Sequence, residues 1–243
     1  MIRATTLLTA ALLALGLAAC GFEIGPVGAL QGSGNVKSES RDVHGFDRVE
    51  LAGVGTLTVT QGTAEALTIQ AEDNLLPHIG SVVQGGTLTL APRPGTGIAP
   101  TKPIRYDLTV KQLRGIEVSG AGDATASGLT ADQLDLGVSG AGHVDTSRVT
   151  ASAITVHLSG SGTVTVSGQA PQQTVSISGA GRYVATDLAS QQATVEVSGA
   201  GSAAVRVSDH LKASVSGAGR IAYTGSPTVE REVSGAGSVT KSG

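Results

Sequence analysis

The stretch Ile116-Glu117-Val118-Ser119-Gly120-Ala121-Gly122 decides how this chain folds, because it returns again and again. Ser-Gly-Ala-Gly, once Ser-Gly-Ser-Gly, begins at Ser119, Ser139, Ser159, Ser178, Ser198, Ser216 and Ser234, at intervals of 20, 20, 19, 20, 18 and 18 residues. Near-constant spacing of this kind is the signature of a stacked repeat. The residue before each serine is apolar: Val118, Val138, Leu158, Ile177, Val197, Val215 and Val233. Two positions further back stand Ile116, Leu136, Val156, Val175, Val195 and Ala213, and only the seventh copy departs, with Arg231. After the motif the alternation resumes at Ala124/Ala126, Val144/Thr146, Val164/Val166, Tyr183/Ala185, Ala203/Val205 and Ile221/Tyr223. Period two means strands with one buried face. Gly120 and Gly122 fall in the inward set, and Ser119 and Ala121 in the outward set. At a sharp bend an inward β-carbon would strike the coil's own interior, so glycine is expected there for space and for unusual dihedrals.

A repeat of 18–20 residues with apolar columns predicts an all-β chain wound as a parallel β-helix, each coil hydrogen-bonded to the next. Seven coils at about 4.8 Å would make a rod roughly 30 Å long. Both ends of such a rod expose strand edges that invite polymerisation. Glu230, Arg231, Glu232 and Lys241 are expected to protect one end.

Upstream, residues 41–110 read as an N-terminal β region that either caps the helix or runs on into it. Its alternating pairs are Val49/Leu51, Leu57/Val59, Leu67/Ile69/Ala71, Leu88/Leu90 and Ile104/Tyr106/Leu108/Val110. Gln61-Gly62-Thr63 and Gly85-Gly86 have the chemistry of hairpin turns. Residues 92–103 hold four prolines and two glycines and read as a loop. Residues 111–243 form the repeat region.

The chain begins with one basic residue, Arg3, and an apolar run from Leu7 to Ala19 that ends at Cys20. Thirteen residues are too few to span a bilayer, which takes about 20, but they suit the apolar core of a secretory signal. Residues 1–19 are therefore expected to be a signal peptide, with residues 20–40 a flexible tether behind it. The junction resembles the lipobox of bacterial lipoproteins, which implies that Cys20, the only cysteine, carries lipid. The membrane is then a partner through the anchor, since each buried methylene contributes about 0.8 kcal/mol. Gly21 in place of an inner-membrane retention Asp implies the outer membrane.

Without residues 1–19 the chain carries fifteen Lys and Arg against nineteen Asp and Glu, a formal charge of −4. No basic face for nucleic acid is implied. Aromatic residues make up 2 % of the chain and Trp is absent, so neither bases nor sugar rings have a stacking platform.

Arg41-Asp42-Val43-His44-Gly45-Phe46-Asp47-Arg48-Val49, then Glu72-Asp73-Asn74-Leu75, then the Val-Ser-Gly-Ala-Gly copies together resemble the head-GIN-domain family, described as putative auto-transporter adhesin heads. The resemblance spans roughly residues 41 to 240. It implies a β-helical exported protein of the cell envelope with no established enzymatic activity, and it supplies no catalytic residue to carry over.

Parallel β-helices also house polysaccharide lyases and hydrolases, which is the enzyme alternative. Aligning the coils puts Glu117, Gly137, His157, Ser176, Glu196, Ser214 and Glu232 in one outward column. Asp123, His143, Thr163, Arg182, Ser202, Arg220 and Ser238 form another. Neither column sets two carboxylates on adjacent coils, whereas glycoside hydrolysis wants a pair roughly 5–10 Å apart. Asp123 and His143 are expected to meet as a solvated surface pair. His44, His78, His157 and His210 lack a metal-ligand spacing, so neither metal nor cofactor is expected. The repeated serines are expected to form a hydroxyl ladder, and the glycine pairs never extend to the Gly-x-Gly-x-x-Gly of nucleotide sites. The sequence thus favours a non-enzymatic envelope lipoprotein whose head presents a surface to a protein or glycan. A carbohydrate-active enzyme and a self-associating spacer are the alternatives.

Overall fold

Strands make up about two thirds of the computed structural model, which describes residues 28–242, and no α-helix occurs among those residues. They wind into a parallel β-helix with two long faces and a short third side. On the first face, seven levels follow the chain: Gly115–Val118, Thr130–Val138, the end of His143–Leu158, Gln172–Ile177, the ends of Arg182–Val197 and Ser202–Gly217, and Thr228–Gly235. The second face stacks Asp123–Ser127, the start of His143–Leu158, Thr163–Gln169, the starts of Arg182–Val197 and Ser202–Gly217, Arg220–Thr224 and Ser238–Lys241. Val, Ile, Leu and Ala at alternate positions point inward and form one continuous buried column. Both outward columns aligned from the repeat hold their register from end to end.

The N-terminal region both continues the helix and caps it. Arg48–Leu51 and Thr56–Gln61 make one further level against Gly115–Val118 and Asp123–Ser127. Thr87–Pro92 and Arg105–Val110 make the level beyond that. The chain therefore lays down the second level before the first. Nine levels about 4.8 Å apart give a stack roughly 38 Å long, longer than the seven motif copies alone imply. The outer edge is then closed by antiparallel strands: Ile79–Gln84 on Thr87–Pro92, and Ala66–Glu72 on Arg105–Val110, with Val36–Arg41 outermost.

One expectation holds here and two change. Gly85 (φ 57°) and Gly86 (φ 81°) do form a two-residue hairpin turn of the type that needs positive φ at both positions. Gln61-Gly62-Thr63 does not, because Arg105–Val110 inserts between the two strands it joins, parallel to one and antiparallel to the other. The Gly62 N–H accordingly donates to the Val110 carbonyl at 2.8 Å. Nor does the flexible tether extend through residue 40. Leu30–Gln31 pairs with Ile98–Ala99, and Val36–Arg41 is part of the sheet. Between them the backbone wraps Glu72, which is fully buried and accepts from the N–H groups of Gly34 (2.6 Å), Thr101 (2.8 Å) and Lys102 (3.3 Å) and from the Thr101 hydroxyl (2.5 Å). Burial works to raise the Glu72 pKa, but those donors together hold it below the ordinary carboxylate value. Cys20 and the signal peptide lie outside the described residues.

The motif glycines serve space rather than dihedral freedom. None of the ten glycines of the first five copies has a left-handed φ; only Gly217 and Gly235 of the motif set do. A β-carbon on Gly142 would stand 2.6 Å from Val118 Cγ1 and press on the Gly122 carbonyl, both on the preceding coil. The collision is thus with the neighbouring coil, not with the coil's own interior. Bonds such as Ala141 N–H to Gly120 O (3.1 Å) and His143 N–H to Gly122 O (3.2 Å) carry the ladder round the corner at this close approach.

At the far end Arg231 occupies the inward column below Ala213, and it is exposed. Val233 beside it is 44 % exposed. A charge in an inward position is one way to keep an open strand edge from pairing with another chain.

Candidate functional site

Extending the register to the N-terminal levels alters the first outward column. Glu50 pairs with Glu117, so the column reads Thr89, Glu50, Glu117, Gly137, His157. Two carboxylates do sit on adjacent levels, contrary to the expectation from the repeats alone. Their backbones are one strand spacing apart, about 4.8 Å. Glu50 is half-buried, and its carboxylate accepts from the Ser119 hydroxyl at 2.7 Å and the Thr89 hydroxyl at 3.4 Å. Glu117 is exposed.

The adjacent column holds Arg48, Gly115 and Asp135. Arg48 Nη2 reaches across the middle level to Asp135 Oδ2 at 2.7 Å. Gly115 makes that crossing possible, since a β-carbon there would sit 3.1 Å from Arg48 Nη1. Gly137 leaves a second gap, between Glu117 and His157. The result is a groove of about 400 Å³ lined by Arg48, Glu50, Glu117, Asp135, Ser139 and His157. Acceptors dominate it, and the one arginine is already paired with a carboxylate. Such a surface favours amines, hydroxyls and backbone N–H groups.

Of the other residues considered, Asp123 and His143 do meet, with Oδ1 and Nδ1 2.8 Å apart on the second face, both more than half exposed. They lie round the corner from the groove and do not join it. His44 faces Asp42 at 2.5 Å and Glu65 at 3.9 Å. Among the described residues no group of three His, Cys, Asp or Glu could hold a metal ion. The expected hydroxyl ladder is replaced by backbone bonding at the corners. Ser119 turns to Glu50, and Ser198 Oγ donates to Ile177 O at 3.4 Å.

Glu50 was the residue hidden from the repeat count. The signal is present: Val49-Glu50-Leu51-Ala52-Gly53-Val54-Gly55 has the layout of Ile116-Glu117-Val118-Ser119-Gly120-Ala121-Gly122. The Ala121 N–H donates to Gly53 O and the Asp123 N–H to Gly55 O, so this is an eighth corner without its serine.

Residues 45–227 match the family described as "putative auto-transporter adhesin, head GIN domain". No protein of curated function matches the chain in sequence. Among solved structures, a putative adhesin from Bacteroides fragilis is 28 % identical with a TM-score of 0.80, over 88 % of this chain and 99 % of that one. A putative adhesin from Parabacteroides distasonis is 25 % identical with a TM-score of 0.68, over 88 % and 100 %. A putative lipid binding protein from the same species, 20 % identical with a TM-score of 0.73 over 89 % and 100 %, shares the fold.

Proposed function

Because this chain belongs to the family of putative auto-transporter adhesin head GIN domains, we propose that it is a non-enzymatic binding head of the cell envelope, which offers its first-face groove to a protein or glycan partner. The observation that carries this reading is the groove itself, the one place on the first face where the stacked columns are interrupted by Gly115 and Gly137 and an arginine is spent on bridging the gap. Lipid on Cys20 would hold the head at the membrane, in the outer membrane if Gly21 acts as the resemblance to lipoproteins implies. Two experiments test this reading. Cys20→Ser should end incorporation of labelled fatty acid, and continued labelling would refute the anchor. Envelope components captured by the wild-type protein should be lost with Gly137→Arg, which fills the groove with a side chain that the exposed face tolerates. Capture that is indifferent to Gly137→Arg would move the binding surface elsewhere.

The adjacency of Glu50 and Glu117 favours a second reading, that of a carbohydrate-active enzyme, because paired carboxylates of this order of spacing perform glycoside hydrolysis. Incubation with envelope and plant polysaccharides separates the two. Turnover abolished by Glu117→Gln or Glu50→Gln would establish the enzyme and displace the binding head.

A further inference from the structure

The intervals between motif copies drop from 20 to 18 after Ser198, and the third side of the solenoid takes up the difference. Opposite the long coil, register shifts occur between Ala185 and Ser190 and again between Ser190 and Gln192, where Ser190 pairs with Val207. The long coil therefore overhangs the two short ones that follow. Along this side, from Gln169 and Pro171 on the level before the long coil to Gly225 and Ser226 after it, lies a recess of about 510 Å³, within the range of roughly 300–1,000 Å³ usual for small-molecule sites. It is on a different side of the rod from the first-face groove and shares no residue with it.

The overhang is held from within. Ser190 is 7 % exposed; its hydroxyl donates to the Arg206 carbonyl at 2.9 Å and accepts from the Gln173 amide, whose oxygen in turn accepts from Tyr183 at 3.2 Å. Burial pushes the Tyr183 pKa up, so the chain of bonds stays uncharged. This network fixes the Arg206 backbone while its side chain stays exposed at the recess. Among the described residues the Arg206 guanidinium enters no ion pair. Gly225, at φ 101°, keeps the lower wall clear, since a β-carbon there would collide with the Val207 carbonyl.

The lining combines one free guanidinium with the amides of Gln169 and Gln191 and the hydroxyls of Ser208, which donates to Asp209 Oδ1 at 2.6 Å, and Ser226, which accepts from Lys241 Nζ at 3.5 Å. A guanidinium pairs with a carboxylate in a two-pronged geometry. Amides and hydroxyls both donate and accept, as ring hydroxyls require. Pro171 offers a small apolar surface to the C–H side of a ring. We propose that this recess binds a sugar acid, a single pyranose ring whose carboxylate rests on Arg206 and whose hydroxyls meet Gln169, Gln191, Ser208 and Ser226.

Ligand-observed NMR titration of the full chain in detergent tests this with D-glucuronate, D-galacturonate and, as a neutral control, D-glucose. Saturable binding of at least one uronate, roughly tenfold weaker in Arg206→Gln and unchanged in Arg220→Gln, is the expected result. Arg206→Lys should recover only part of the loss, because an ammonium keeps the charge without the fork. The thermal unfolding of Arg206→Gln should equal that of the wild type, since the side chain is exposed. No saturable uronate binding, glucose binding as tight as uronate binding, or indifference to Arg206→Gln would each overturn the assignment.

Discussion

Gly142 and Gly137 stand five residues apart in one coil, yet an added methyl should act in opposite directions on them. On Gly142 the new carbon lies 2.6 Å from Val118 Cγ1 and against the Gly122 carbonyl, which accepts the His143 N–H. Neither can retreat. The valine is locked in the core and the carbonyl is part of the ladder. Overpacking of this kind costs about 1–3 kcal/mol. Restricting the unfolded chain offsets about 0.4–1 kcal/mol of it. Gly142→Ala should therefore lose about 1–2 kcal/mol net. On Gly137 the nearest atom is Glu117 Cγ at 3.3 Å, the stem of an exposed side chain that can swing aside. Gly137→Ala keeps only the unfolded-state term and should gain about 0.5 kcal/mol. Urea unfolding followed by far-UV circular dichroism reads both, as midpoints shifted in opposite directions at equal slope. If Gly142→Ala is as stable as the wild type, close approach of neighbouring coils is not why the motif contains glycine.

Three further outcomes are open to measurement. Glu72 has a folded pKa below its unfolded value, so its contribution is complete at pH values above the ordinary carboxylate pKa and is lost as pH falls through the folded one. Hydrogen-exchange protection over residues 30–41 and 97–102, taken relative to the intrinsic rate at each pH, should fall on acidification ahead of the repeats, and Glu72→Gln should abolish that pH dependence; a cap that loosens together with the repeats would contradict it. Arg148, at φ 53°, takes the position that Gly128 fills on the preceding coil, and its guanidinium donates to Ser127 at 2.7 Å. Relief of a left-handed backbone is worth about 1 kcal/mol or more, against a fraction of that for an exposed hydrogen bond, so Arg148→Gly should raise the unfolding midpoint; a fall would mean that the hydrogen bond outweighs the strain. Arg231→Leu restores an apolar inward column at the open end, and sedimentation should then show concentration-dependent association absent from the wild type, whereas a variant that stays monomeric would deny Arg231 a protective role.

The strand register of the repeat region was legible because one motif recurs seven times and each copy brings its inward and outward positions with it. Val118, Val138 and Leu158 name their own neighbours. The N-terminal levels were opaque for a physical reason. Their partners are separated by long insertions, so that Glu50 meets Glu117 across 67 residues of chain, and the corner at Ala52-Gly53-Val54-Gly55 has lost the serine that marks the others. A turn such as Gln61-Gly62-Thr63 looks alike whether its strands pair or a third strand enters between them. Burial of Glu72 also left no trace in composition, since its partners are backbone N–H groups supplied by segments that read as tether and loop. The recess along the long coil was half visible: the intervals of 20 and 18 were plain, but not the side on which the missing residues would be felt.

The reversed order of the first two levels bears on how the molecule assembles. A solenoid of equal repeats can start folding anywhere along its length. Here Arg48–Leu51 and Thr56–Gln61 are covered on their outer side by Thr87–Pro92 and Arg105–Val110, while their inner side stays unpaired until Gly115–Val118 arrives. A chain synthesised from its N-terminus completes this plate by Val110, before the first Ser-Gly-Ala-Gly exists. Each later coil then finds one free edge at the correct register and adds to it. Growth in a single direction is then the expected order of assembly, with the closed end of the rod as its seed.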